Sequence, residues 1–315
     1  MSLFSRRKKL VVSGCSYTDN YARQEKIKEF PLWGELLAEK LDMDLINLGR
    51  CGYGNKAIYT SLAETILPRK DIGLCVAMWS EVQRVCLFRS GVYVCFHPDR
   101  ITLDADWHDQ FYNPPTKNPK KSSVRYEVSK VLMDNSFDDM ESDTLESLGY
   151  MYSFQNLCEV NNIPYLQIQG CPPLMNKEES KNNKQYKDFC NYIIESPYVD
   201  KMKKTFIGWP LDSRIGGYSI DSKLEEDHRI SAEDTHPNAK GHKFIAGVCT
   251  MSMKRVILKC RLFFHTLFVR EKYREQKGFI YEFDDDKFKK LSPEEQGVEV
   301  QKNWNRYMKK EQMKE

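Results

Sequence analysis

A chain of 315 residues, 41% hydrophobic and 30% charged, is long enough for one large domain or two modest ones and too apolar to be disordered. Its 48 Lys and Arg against 45 Asp and Glu leave a net charge of +3, too small for the whole molecule to act as a polyanion binder. The 10 cysteines are scattered without a C-x-x-C pair, which excludes a disulfide framework and predicts reduced thiols.

The basic opening Arg6-Arg7-Lys8-Lys9 is followed by only Leu10-Val11-Val12 before Ser13-Gly14, too short an apolar run for a secretion signal. Residues 9 to 80 then alternate strand-like and helix-like runs. Lys9 to Ser13, a β-branched run ended by Gly14, predicts a buried strand. Phe30 to Leu41 sets Leu32, Trp33, Leu36, Leu37 and Leu41 at helical spacing. Asp44 to Leu48 predicts a second strand, Asn55 to Leu67 a second helix and Asp71 to Trp79 a third strand. Strands joined by helices of this length make right-handed crossovers, so the expected fold class is α/β, a parallel sheet with helices on both faces.

From Glu81 to about Asp143 the rhythm breaks. Val85 to Phe96 predicts a strand or hairpin, and Pro, Asn and Lys cluster at 113 to 121, which together predict an insertion over the carboxyl edge of the sheet. Thr144 to Asn161 predicts a helix and Ile163 to Gln169 a fourth buried strand, ended by Gly170-Cys171-Pro172-Pro173. A second, polar insertion covers 176–232 with one amphipathic helix around Tyr186 to Ile194, and Asn238 to Met253 predicts the last helix of a core domain, 1–253. Residues 254–315 read as a basic helical C-terminal extension whose Leu258, Phe263, Leu267, Trp304 and Tyr307 suffice to pack against a domain. The apolar stretch Phe244 to Phe264 is broken by Lys254, Arg255, Lys259 and Arg261, which argues against a membrane span. A cytoplasmic location without a signal peptide is expected.

Three blocks fall where predicted strands end, the edge at which parallel sheets bind ligands. Gly14-Cys15-Ser16-Tyr17-Thr18 follows the first strand and presents Ser16 either as a nucleophile or as a turn and cap residue. Asn47-Leu48-Gly49-Arg50-Cys51-Gly52-Tyr53-Gly54-Asn55 follows the second. Its glycines allow positive φ and close backbone approach, so an N–H can face a developing oxyanion, or the segment is simply a turn feeding a helix. Tyr53 and Asn55 line a pocket or cap that helix. The Gly-x-x-Gly-x-Gly pattern is not a dinucleotide fingerprint, because no acidic residue is suitably placed after a further strand.

The third block, Glu233-Asp234-Thr235-His236-Pro237-Asn238, precedes the last helix. A carboxylate two or three residues before a histidine can orient the ring and fix its tautomer; the plain alternative is a helix cap by Asp234 or Asn238. Neighbours in an extended segment point opposite ways, so only one of Glu233 and Asp234 can face the ring. The shorter Asp234 needs less ordering and is preferred. His236 and His242 are six apart, which suits neither one helical face nor a zinc motif, so no metal is expected. His242 is read as a packing or hydrogen-bonding residue, Arg84 as an ion-pair or surface residue, and Trp79 as a core residue beneath the site.

Taken together, the blocks resemble the SGNH (GDSL-like) hydrolase superfamily, especially its compact, divergent members often encoded by tailed bacteriophages and bacteria. The resemblance covers residues 9 to about 80 and 144 to about 250. It implies a flavodoxin-like three-layer α/β/α sandwich, Ser16 as nucleophile, His236 as base, Asp234 or Glu233 as the orienting acid, and the N–H groups of Ser16 and Gly52 as oxyanion donors. The family's Gly-Asp-Ser is Gly14-Cys15-Ser16 here, and its Gly-x-Asn-Asp is Met78-Trp79-Ser80-Glu81, so Ser80 would donate through its hydroxyl.

The implied activity is a serine esterase or deacylase acting on an O-acyl ester of a glycan or small molecule, without a cofactor. The Ser80 departure keeps two alternatives open: a weak or inactive SGNH-fold binding or structural protein, such as a phage accessory or virion component in a host cytoplasm, and an O-acyltransferase. The extension interleaves basic and aromatic residues from Lys254 to Arg274, but Glu271, Glu275 and the later acidic run balance them. It is therefore expected to serve self-association or a protein partner rather than nucleic acid.

Overall fold

The computed structural model describes residues 7–19, 30–89, 91–98, 124–137, 139–174 and 184–253. The expected helices of the extension, residues 254–315, and the insertion residues 99–123 and 175–183 lie outside the described residues. The chain divides into a compact unit, Met1–Cys249, and a second, Thr250–Glu315.

Five parallel strands form the central sheet: β1 (Lys9–Ser13), β2 (Asp44–Asn47), β3 (Ile72–Trp79), β6 (Tyr165–Gln169) and β7 (Phe206–Ile207), in the order β2-β1-β3-β6-β7. This is the flavodoxin-like order, with its reversal of winding between β1 and β3. The intervening β4 (Val85–Arg89) and β5 (Val92–Phe96) form a separate antiparallel hairpin, Cys86 opposite Cys95. The helices are α1 (Trp33–Leu41), α2 (Asn55–Ile66), α3 (Val124–Asp134), α4 (Met140–Val160), α5 (Lys184–Glu195) and α6, residues 239–253. Among the described residues no helix is long and apolar enough to cross a membrane.

Parallel strands covered on both faces are apolar throughout rather than alternating. Leu10, Val11, Val12, Leu74, Cys75, Val76, Ala77, Met78 and Trp79 are all fully buried. Val11, Cys75, Ala77 and Trp79 face one way and share a core with Ile58 and Leu62 of α2, Leu148, Met151 and Phe154 of α4, and Phe189 and Ile193 of α5. On the opposite face, Gly34 of α1 rides close to Val12 and Leu45; an added Cβ would come within 3.3 Å of the Val12 side chain. The N–H of Trp33 donates to Nδ1 of His242 at 3.1 Å, which sets α6 beside α1.

Three elements differ from expectation, the first being helix α3, which lies within the first insertion, where no helix is expected. The fifth strand, β7, is only two residues long and pairs Phe206 with Gln167 and Ile207 with Ile168, so no run of strand formers announces it. Helix α4 starts earlier than expected because Asp139 caps it, accepting from the N–H groups of Glu141 and Ser142 at 3.0 and 3.3 Å.

Candidate active site

Beyond β1 the chain folds back at once. The N–H groups of Thr18 and Asp19 both donate to the carbonyl of Cys15, at 2.9 and 3.0 Å, making a tight turn with Ser16 at its start. The glycine loop after β2 is stitched to this turn. Arg50 N–H donates to Gly14 O at 3.1 Å, Cys51 N–H to Asp19 Oδ2 at 2.8 Å, and Asn47 Nδ2 to Thr18 O at 2.7 Å. Gly52 lies at φ +82° with open space where a Cβ would be, a conformation that favours glycine.

The histidine arrives on a short hairpin before α6. Arg229 bridges to Pro237, Ile230 N–H donates to His236 O at 2.9 Å, and Ser231 N–H to Asp234 O at 3.0 Å. Asn238 caps α6, its Oδ1 accepting from the N–H groups of Lys240 and Gly241 at 2.8 and 3.2 Å. The cap is therefore supplied by Asn238, which leaves the Asp234 carboxylate free of that task.

Ser16 and His236, 220 residues apart, meet: Oγ lies 2.8 Å from Nε2. On the other side of the ring, Nδ1 lies 2.6 Å from Asp234 Oδ1, and the same oxygen accepts the His236 backbone N–H at 3.1 Å. The carboxylate holds the proton on Nδ1, leaving the Nε2 lone pair for the serine hydroxyl. Glu233 turns away, accepting from the Ser231 hydroxyl at 2.9 Å on the exposed side. The Tyr17 ring packs edge-on against the imidazole with centroids 5.6 Å apart. Such a chain can take a proton from a hydroxyl, hold the resulting imidazolium and return the proton to a leaving group.

Two expected site residues sit elsewhere in the hydrogen-bond network. Ser80 is fully buried and its hydroxyl donates to the Glu81 carboxylate, so it has no proton to offer an oxyanion. Glu81 is itself buried and needs donors, which Ser80 and Arg84, at 2.8 Å, supply. Burial alone would raise the Glu81 pKa; the charges of Arg84 and His97 and the Ser80 hydrogen bond outweigh it and hold the carboxyl below its ordinary value. Asn55 is also spent inside the fold. Its Oδ1 accepts the Ser80 N–H at 2.9 Å and its Nδ2 donates to Ser147 Oγ at 3.0 Å, tying α2 to the end of β3 and to α4 rather than lining a substrate pocket.

Arg84, read as an ion-pair or surface residue, is a buried ion-pair residue that also donates from Nη1 to the carbonyl of Tyr53 at 3.0 Å, bracing the glycine loop next to Gly52. Trp79 is fully buried, its Nε1 donating to Gln167 Oε1 at 2.9 Å. His242 lies in the core, and burial pushes its pKa down to about 4. Cys15 lies 3.3 Å, sulfur to sulfur, from Cys171; the hydrogen bond from Cys171 lowers the Cys15 thiol to about 7 against the opposing effect of burial. Glu225, Asp227 and His228 bring one potential metal-binding atom each within 4.8 Å of one another on the surface. Asp227 is already paired with Lys240 at 2.8 Å, and His228 Nδ1 accepts the Glu225 N–H at 3.0 Å.

No protein-family model matches the sequence, and no match was found among curated proteins. Among solved structures, the chain is similar to the psychrotrophic esterase EstA from Pseudoalteromonas sp., at 11% identity over 79% of this chain and 98% of that one, with a TM-score of 0.40. A GDSL-like lipase from Bacteroides thetaiotaomicron VPI-5482 matches at 10% identity over 79% of this chain and 89% of its own, with a TM-score of 0.38. An acetyl xylan esterase, AlAXEase, matches at 14% identity over 79% and 99% of the two chains, with a TM-score of 0.36. The likenesses are remote. The strand order and flanking helices are those of a flavodoxin-like α/β fold, and the chemistry of the site rests on its own distances.

Proposed function

We propose that the protein is a serine esterase or deacylase that cleaves an O-acyl ester of a small molecule or glycan. The observation that carries this reading is the continuous chain from Ser16 Oγ through His236 to Asp234, at 2.8 and 2.6 Å. Ser16 attacks the ester carbonyl while His236 Nε2 takes its proton, and the C=O electron pair moves onto the oxyanion. The backbone N–H groups of Ser16 and Gly52 serve as donors to that oxyanion. Collapse expels the alcohol, which receives the proton from His236, leaving an acyl-serine. Water, deprotonated by the same imidazole, releases the carboxylic acid and restores the hydroxyl. Asp234 keeps the ring in the required tautomer throughout.

The test is covalent labelling with a fluorophosphonate, followed by peptide mapping. One label per chain on Ser16, lost in Ser16→Ala, is expected, together with turnover of a short-chain aryl ester. Absence of label from the folded wild-type chain would remove the reading.

A second reading is favoured by one observation, the Ser80 hydroxyl committed to Glu81. With two oxyanion donors instead of three the chain would label at Ser16 yet turn over little, as suits a binding or structural role. Stoichiometric labelling without catalytic ester hydrolysis distinguishes it, and product analysis with an alcohol acceptor separates hydrolysis from acyl transfer.

A further inference from the structure

The serine and histidine loops are also joined away from their reacting atoms, through one carboxylate. Asp221 is fixed to the end of β6: its N–H donates to Gly170 O at 2.9 Å, and that of Ile220 to Gln169 O at 2.8 Å. Its Oδ1 accepts from the Tyr17 phenol at 2.5 Å and from Arg229 Nη1 at 2.8 Å. The same Nη1 donates to Thr235 O at 2.8 Å, while Nη2 donates to the carbonyls of Asp221 at 3.0 Å and Leu224 at 3.4 Å. Tyr17 adjoins Ser16, and Thr235 adjoins His236. The path Ser16–Tyr17–Asp221–Arg229–Thr235–His236 therefore forms a ring that the Ser16–His236 hydrogen bond closes.

We infer that Asp221 is a positioning residue, with Tyr17 and Arg229 as its two arms, that holds the nucleophile loop and the base loop in register against the sheet. The inference rests on the acyl-transfer reading of the site. The imidazole Nδ1 is held by Asp234 and its Nε2 faces Ser16, so Asp221 acts through its neighbours and not on the reacting atoms. Asp221 and Arg229 keep only 19% and 18% of their side chains exposed, so breaking the pair also costs stability, and a clamp is told from a merely structural pair by kcat in the folded variants. What the ring supplies is geometry, because its arms end one residue from each member of the pair. Tyr17 suits the part. Its phenol is buried, which pushes its titration well above the ordinary range, so it remains a donor at working pH.

Misplacing reacting groups by about 1 Å costs on the order of a hundredfold in rate. Asp221→Ala releases both arms and is expected to lower kcat on an aryl ester by roughly 30- to 100-fold, with KM held within about twofold. Asp221→Asn, which can still accept the Tyr17 hydroxyl, should recover to within about tenfold of wild type. Tyr17→Phe, which removes one hydrogen bond and keeps the ring, should cost about three- to tenfold in kcat. Added to Asp221→Ala, Tyr17→Phe should cost nothing further, since its partner is already gone.

The experiment measures kcat, KM and the rate of fluorophosphonate labelling at Ser16 for all four variants in the full chain, with urea midpoints to confirm folding. A graded loss in kcat, Ala greater than Asn, at unchanged KM supports the clamp. Wild-type labelling at Ser16 with equal labelling rates in folded Asp221→Ala overturns the clamp and leaves the esterase reading standing. A wild-type chain that does not label removes both. Should Asp221→Ala fail to fold, Tyr17→Phe decides: no change in its kcat overturns the inference.

Discussion

Replacing Asp234 by Asn, and separately Glu233 by Gln, separates the two carboxylates that precede the histidine. Asp234 Oδ1 is 2.6 Å from Nδ1 of His236, so the carboxylate faces the positive charge that develops on the ring. Two unit charges about 4 Å apart interact by about 4 kcal/mol near a protein surface. Both side chains are about a quarter exposed, at 27% and 24%. Solvent screening reduces the worth of the charge to about 2–3 kcal/mol, or roughly 30- to 150-fold in kcat. The backbone N–H of His236 donates to the same oxygen at 3.1 Å, which obliges an Asn there to present its carbonyl rather than its NH2. The productive tautomer is thereby kept, and the far larger loss caused by a wrong tautomer is avoided, on the order of ten-thousandfold. Among the described residues Glu233 meets the Ser231 hydroxyl on the exposed side, so Glu233→Gln should stay within about twofold of wild type. Steady-state hydrolysis of a short-chain aryl ester at fixed pH and ionic strength is the assay. Equal losses from the two substitutions, or a larger one from Glu233→Gln, would refute the assignment of the acid.

Gly52→Ala places a side chain at φ +82°, costing about 1–2 kcal/mol of stability by urea unfolding, and shifts the N–H enough to lower kcat about tenfold. An unchanged kcat would remove Gly52 from the oxyanion site. Asn55→Ala strands the fully buried Ser80 N–H and should destabilise the fold by about 1–3 kcal/mol; a loss of activity without loss of stability would return Asn55 to the substrate pocket. His242 has its pKa lowered by burial from 6.5 to about 4, and its Nδ1 accepts the Trp33 N–H, which a protonated ring could not do. The unfolded chain therefore binds the extra proton first. The stability that neutral His242 contributes is complete above pH 6.5 and declines by about 3 kcal/mol as pH falls to 4. Urea unfolding at pH 7, 5.5 and 4 should show a shallower decline in His242→Asn, which keeps an acceptor but does not titrate; parallel declines would refute it.

The strands β1, β3 and β6 are legible because parallel strands buried on both faces require continuous apolar runs, and Leu10-Val11-Val12 and Leu74 to Trp79 are such runs. Two-residue β7 carries no such signal, and its place is set by pairing with β6. The blocks around Ser16, Gly52 and His236 stand out in the sequence for a related reason. Each stands in a short block whose glycine, proline or acid constrains the backbone locally. The clamp is not legible. Tyr17 and Asp221 are 204 residues apart, and Asp221 and Arg229 lie in a polar segment without periodicity, where only the folded chain shows which charges meet. The adjacency of Ser80 and Glu81 is plain in the sequence. Which way the hydroxyl turns is not, because that depends on the burial of a carboxylate whose cationic partner, Arg84, is held there by the β4–β5 side of the site.

The direction of the Ser80 hydroxyl bears on the site as a whole. A hydroxyl aimed at the substrate would add a third donor to the oxyanion, and one such donor is worth on the order of a hundredfold or more in rate. Here the hydroxyl instead completes the solvation of Glu81, and Glu81 fixes Arg84, whose Nη1 holds the Tyr53 carbonyl at 3.0 Å. Tyr53 is the residue after Gly52, so the buried pair restrains the segment from which the Gly52 N–H projects. A restrained backbone donor needs no reorganisation as charge develops, whereas a serine hydroxyl must stop rotating to donate. Under the acyl-transfer reading, the arrangement exchanges a mobile third donor for a stiffer second one. On the proposed mechanism, Gly52 should therefore matter more to turnover than its open surroundings and partly exposed position suggest.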